Sequence, residues 1–160
     1  MPGDGSTTAD AAPAFRVWPP VAISVPWLVG YVADRLWFDL GRGGPVWTVL
    51  GAGLVVAFVV WNGWCLLLFR HRRTGLLPGQ TTTTLMVRGP FRVSRNPLYV
   101  GLLALYAGVA LLVGSVGALV LLPVAWWLLH WGAVLPEERY LHERLGEEYD
   151  LYRRQVRRWL

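Results

Sequence analysis

Long apolar runs separated by short polar stretches dominate the chain. Residues 17–33 carry no charge, and the run reaches Trp37 or Phe38 if Asp34 and Arg35 sit at an interface. Residues 43–69 also carry no charge, and Asn62 is the one strongly polar side chain among them. Residues 96–136 contain no Asp, Glu, Lys or Arg. A bilayer-crossing helix takes roughly 20 apolar residues, so this third run is too long for one span. Gly114-Ser115-Val116-Gly117 supply a turn in its middle. The run therefore splits into helices over 97–113 and 116–135. The pattern predicts an all-α polytopic membrane bundle of about four transmembrane helices. Asn62 reads as an interhelical hydrogen-bonding residue of that bundle.

The ends of the chain differ from its middle. Residues 1–15 are small, polar and proline-containing, and read as a disordered tail without the basic start and short apolar core of a cleavable signal. Residues 16–69 then hold two N-terminal transmembrane helices, and 70–160 the loop, the hairpin and the C-terminal helices. Pro136 followed by Glu137 and Glu138 suits a helix N-terminus. Gly146 interrupts that helix. Beyond it Tyr149, Tyr152, Val156 and Trp159 recur at helical spacing, with Arg153, Arg154, Arg157 and Arg158 opposite. Such a basic amphipathic helix suits either a membrane surface or packing on the protein.

Composition agrees with a membrane chain. Apolar residues make up 54% of 160 residues, with ten tryptophans. A soluble domain of this size cannot hide that much apolar surface. The formal charge is +5, and every basic residue is arginine. The arginines flank the apolar runs instead of forming one basic face, which favours a membrane surface over nucleic acid. Residues 70–95 hold six arginines and no acid, and by the positive-inside rule this loop is cytoplasmic. Four spans then put both termini and this loop in the cytoplasm, in a bacterial inner (plasma) membrane.

Candidate chemistry lies in that loop and the helix ends around it. The single cysteine, Cys65, reads as a small packing residue. His71, His130 and His142 are scattered, which predicts no metal site, and His130 reads as a packed histidine. No phosphate loop, dinucleotide fingerprint or hydrolase triad is present. Pro97 marks the start of the third helix, whose free N–H groups and positive dipole end suit an anion.

Two blocks carry a family resemblance. Gly89-Pro90-Phe91-Arg92-Val93-Ser94-Arg95-Asn96-Pro97-Leu98-Tyr99-Val100-Gly101 resembles the R-H/N-P-x-Y-x-G signature of the isoprenylcysteine carboxyl methyltransferase and phospholipid methyltransferase families. Glu137-Glu138, Leu141, Leu145-Gly146, Tyr149, Tyr152 and Val156-Arg157 are similar to the E-E-x-x-L…F-G-x-x-Y-x-x-Y…V-x-R ending of those families. One helical hairpin separates the blocks, as it does there. The resemblance implies an integral membrane methyltransferase using S-adenosyl-L-methionine, with a cytoplasmic loop and C-terminal helix around the cofactor. It implies cofactor contacts from Thr83, Thr84, Leu85, Met86, Phe91, Asn96, Pro97, Leu98, Tyr99 and Glu137. It implies a lipophilic or small amphiphilic acceptor (carboxylate, thiol or amine) entering from the bilayer among the membrane lipids.

Asn96 stands where many relatives carry histidine, Phe91 where many carry tyrosine, and Ala133 where the eukaryotic enzymes carry an arginine. No residue is marked as a catalytic base. Without the resemblance, Glu137 reads as a helix-dipole partner and Tyr99 as an interfacial belt residue. An NADPH-dependent membrane sterol or enone reductase and a non-catalytic membrane scaffold remain as other readings.

Overall fold

A computed structural model of the chain describes residues 15–38, 43–72 and 88–160. Helix α1 (Pro19–Ala33) opens on two prolines, which suit a first turn whose N–H groups have no helical partner anyway. It widens into a π-type turn at Asp34–Phe38. Helix α2 (Pro45–Arg72) is the longest element. Within it Pro45–Arg70 is long and apolar enough to cross a membrane, and it is the one helix among the described residues that is so by itself. Its 26 residues span about 39 Å at 1.5 Å per residue. Most of its apolar side chains, including Val49, Leu50, Val59, Val60 and Leu67, are exposed. A helix apolar on all sides with so little cover belongs in a lipid or protein environment.

Helix α3 (Pro97–Leu112) runs back along α2. Small residues let the two backbones meet: a Cβ on Gly51 would lie 2.8 Å from the Gly108 carbonyl oxygen, and one on Gly101 would overlap the Asn62 amide. The Trp61 Nε1–H donates to the Pro97 carbonyl at 2.8 Å and ties α2 to the start of α3. The interhelical hydrogen bond expected of Asn62 is not seen from its amide nitrogen, which has no partner among the described residues. Its place in the fold is steric, against Gly101.

The turn after α3 lies at Gly114, whose φ of 65° favours glycine. Ser115 caps α4 (Val116–Val120) by accepting from the Ala118 N–H at 3.2 Å. The Tyr106 hydroxyl donates to the Ala118 carbonyl at 2.8 Å, fixing the hairpin from inside. Helix α5 (Leu122–Leu129), a π-type turn at His130–Val134 and helix α6 (Leu135–Leu145) then follow without a gap. The helix therefore does not begin afresh at Pro136. The π-type turn leaves the Gly132 carbonyl to accept from the Arg16 and Val17 N–H groups, at 2.9 and 3.3 Å. That pins the start of α1 beside the start of α6. At the far end Gly30 of α1 and Gly117 of α4 pack backbone to backbone.

Gly146, at φ 53°, breaks the helix, and α7 (Glu147–Gln155) packs Tyr149 and Tyr152 back onto Leu141 and Leu145. The amphipathic face is thus packed on the protein. The helix predicted to continue through Trp159 stops at Gln155, because Val156 turns extended, with φ −124° and ψ 135°. The last residues double back toward the start of α3.

Candidate functional site

The ends of α3, α6 and α7 meet at one end of the bundle, with the 3₁₀ turn Gly89–Arg92 beside them. Tyr99 is the third residue of α3 and Glu137 the third of α6. The Tyr99 hydroxyl donates to Glu137 Oε2 at 2.9 Å. Beneath them lies an apolar cluster of Ala22, Leu129, Ala133 and Val134, with Leu102, Leu103 and Trp159 against it. Loss of water around the Glu137 carboxyl pushes its pKa above the ordinary carboxylate range, and the neighbouring Glu138 pushes the same way. The Tyr99 hydroxyl pulls it back by donating to the ionised form.

Glu138 points elsewhere, because neighbouring residues on a helix project about 100° apart. Its carboxylate is gripped by Arg158, with Nε at 3.0–3.1 Å and Nη2 at 2.8 Å. Arg95 Nη2 lies 3.4 Å from its other side. The Arg95 and Glu138 side chains are only 9% and 10% exposed. Arg95 Nε and Nη1 are buried with no hydrogen-bond partner among the described residues. Tyr149 packs nearby, and burial, reinforced by the Glu138 charge, pushes its hydroxyl up to about 12.

The backbone of the last residues is bound to the same corner. The Arg95 N–H donates to the Arg157 carbonyl at 2.9 Å. The Ser94 hydroxyl and Asn96 Nδ2 both donate to the Arg158 carbonyl, at 3.3 and 3.1 Å. Ser94 Oγ in turn accepts from the Asn96 N–H at 3.1 Å. Trp159 lies beside Trp126 and His130, with ring centroids 5.9 and 6.2 Å away.

The residues singled out from sequence do not all fall together. Tyr99 and Glu137 touch each other, so Tyr99 is a buried polar partner and not a belt residue. Asn96 and Pro97 form the start of α3, Leu98 is half-buried beside them, and Asn96 spends its amide on the C-terminal backbone instead of capping the helix. Phe91 stands edge-on to Phe69 of α2 at 5.4 Å, and its carbonyl accepts from the Tyr152 hydroxyl at 2.7 Å. Thr83, Thr84, Leu85 and Met86 lie outside the described residues. His130 is stacked on Trp126 at 5.4 Å, and its Nδ1 has no hydrogen-bond partner among the described residues.

Sequence reasoning missed Arg95, Glu138 and Arg158 as a group. The signal was present: the acid pair stands in one block, the arginine before Asn96 in the other, and Arg158 closes the V-x-R ending. What was invisible is that these three meet.

Chemically, the corner offers a carboxylate held by a phenol, a helix start without a side-chain cap, and buried guanidinium donors. That set suits a zwitterionic, hydroxyl-bearing ligand. No curated protein and no solved structure matches the sequence. A profile described as phospholipid methyltransferase matches residues 46–148, which takes in all but the first residue of α2, the turn before α3, the hairpin, and α6 with its acid pair. On that match, spanning well over half of the chain, the protein belongs to the phospholipid methyltransferase family.

Proposed function

We propose that this chain is an integral membrane methyltransferase that uses S-adenosyl-L-methionine and acts on a lipophilic or small amphiphilic acceptor. In this reading four helical segments cross the bilayer: α1 with its π-type turn, α2, α3, and α4 with α5. The observation that carries the reading is the Tyr99–Glu137 pair. It joins the two motif blocks at the end of the bundle where the arginine-rich stretch enters α3.

The residues present fit the cofactor. A carboxylate offers about four acceptor positions, of which Tyr99 uses one at Glu137. The others suit an ammonium or a ribose diol. The first turn of α3, without a side-chain cap, suits a carboxylate. Phe91 and Tyr99 offer aromatic surface. When bound, the cofactor supplies an electrophilic methyl group on a sulfonium. The chain's own part is to hold it, align the acceptor and keep water out. In this reading the acceptor enters from the lipid side, as an amphiphile dissolved in the bilayer does. A carboxylate or thiolate acceptor needs no strong base, whereas an amine must first lose a proton.

Calorimetric titration of the purified protein with S-adenosylhomocysteine and with NADPH tests this. Micromolar binding of S-adenosylhomocysteine and none of NADPH is expected. The reverse result replaces the reading with a reductase, and binding of neither leaves a scaffold. Radiolabelled methyl transfer into membrane lipids and lipophilic thiols, acids and amines then identifies the acceptor.

A further inference from the structure

We propose that the C-terminal segment 156–160 is a latch for the cofactor corner, with Glu138 and Arg158 as its positioning residues. The inference rests on the methyltransferase reading for its ligand, but its geometry stands by itself. Arg158, from the tail, bonds to both walls of the corner. Its carbonyl receives the Ser94 hydroxyl and the Asn96 amide from the turn that leads into α3. Its guanidinium grips Glu138, the residue next to Glu137 on α6.

The tail adds to both walls contacts that no helix supplies. Residues 94–96 lie outside any helix, between the 3₁₀ turn and α3. Ser94 and Asn96 are nevertheless buried, so without the tail the Ser94 hydroxyl and the Asn96 Nδ2 lose the carbonyl to which they donate. On α6 the first turn emerges from the π-type turn at His130–Val134, and the contacts of that first turn set the rotation of α6 about its own axis. The Glu138–Arg158 pair fixes that rotation, and rotation of α6 decides whether Glu137 reaches Tyr99. Arg95 completes the clasp from the α3 side: its N–H donates to the Arg157 carbonyl, and its guanidinium faces Glu138. Trp159, beside Trp126 and His130, anchors the end of the strap in apolar surroundings.

The consequence is a division of labour between two adjacent acids. Glu137 faces the ligand, and Glu138 sets where Glu137 points.

The test uses the full-length protein in detergent, with S-adenosylhomocysteine as the probe. Arg158→Ala is expected to weaken binding about tenfold or more, as for loss of one member of a buried charge pair. Arg158→Lys, which keeps the charge but not the fork, should lose roughly three- to fivefold. Millimolar guanidinium should restore most of the affinity of Arg158→Ala and leave the wild type unchanged. Affinity of a folded Arg158→Ala within twofold of wild type overturns the latch. So does a loss that guanidinium fails to restore while the thermal midpoint falls in step. If Arg158→Ala does not fold, unchanged affinity in Arg158→Lys overturns it.

A wild type that binds no S-adenosylhomocysteine removes the methyltransferase reading instead. The latch is then read from hydrogen exchange at the Arg95 amide. Slow exchange in the wild type and faster exchange in Arg158→Lys support it, and equal rates overturn it.

Discussion

Glu137 is held against its own preference. Its carboxyl loses water on folding, which raises its pKa above the unfolded value. A raised folded pKa means the native state holds a proton that the unfolded chain has released. Stability therefore falls as pH rises from the unfolded pKa, near 4.5, toward the folded one, and the loss persists at neutral pH. Glu137→Gln keeps the size and an acceptor for Tyr99 but removes the charge. It should raise the thermal midpoint at pH 7, with the gain shrinking as pH falls toward 4.5. Tryptophan fluorescence in detergent reads this directly. The same variant should lose S-adenosylhomocysteine binding, because the negative charge and the second acceptor oxygen that serve the ammonium or diol are gone. A midpoint that drops at pH 7 would show that the carboxylate is a net stabiliser. Tyr99→Phe removes a single donor, worth about 1 kcal/mol or roughly a fivefold weakening of the ligand, with little change in fold.

At the scale of elements, glycine pairs set how close the helices come. Gly101 meets the Asn62 amide, and Gly30 meets Gly117 across α1 and α4. A methyl group at Gly30 runs into backbone that cannot swing aside, so Gly30→Ala should cost about 1–3 kcal/mol. Gly63, on the same helix as Asn62, has nothing within 4 Å of an added Cβ. Gly63→Ala should be neutral or stabilising by up to ~1 kcal/mol through helix propensity. Thermal unfolding of the two variants in one detergent distinguishes these outcomes.

The helices and their connecting turn were readable because apolar runs, Pro97, Gly114 and Gly146 are local signals. The end of α7 was not. Val156 and Trp159 keep the period of Tyr149 and Tyr152, so the pattern predicts more helix. The chain leaves it because the carbonyls of Arg157 and Arg158 are needed by residues 94–96, a demand some 60 positions away that no periodicity records. Tyr99 is a similar case: an aromatic at a helix start looks like a belt residue until its acidic partner on α6 is placed. The expectation for residues 83–86 rests on the resemblance alone, since the threonines there carry no periodic or turn signal, and it lies outside the described residues.

Across the whole molecule the polar groups divide between two ends. One end holds Arg70, the 3₁₀ turn, the starts of α3 and α6, and α7. The start of α1 joins it through the Gly132 carbonyl. The other end holds the π-type turn at Asp34–Phe38 and the 113–117 turn, tied where Arg35 Nη2 donates to the Val113 carbonyl at 2.7 Å. Arg70, Arg88, Arg92 and Arg95 and the arginines of α7 thus share an end, while Arg35 sits at the opposite one beside the buried Asp34. In the proposed reading the positive-inside rule turns the first end to the cytoplasm. Cys65 is wholly buried, so the natural thiol gives little background to a labelling reagent.

Single cysteines at Trp37 and at Arg154, both exposed positions, should therefore label from opposite sides. In intact cells an impermeant maleimide should reach Trp37→Cys at once and Arg154→Cys only after the membrane is opened. Val113→Cys should follow Trp37→Cys, because the Arg35 contact puts both at one end. Labelling of Trp37→Cys and Arg154→Cys from the same side would break the four-crossing arrangement, since an even number of crossings would then separate them, with one of the segments α2, α3 or α4 with α5 failing to cross. Labelling from opposite sides with Arg154→Cys outermost would keep the bundle and invert it, placing the Tyr99–Glu137 corner away from the cytoplasmic cofactor supply and ending the methyltransferase reading on grounds of access alone.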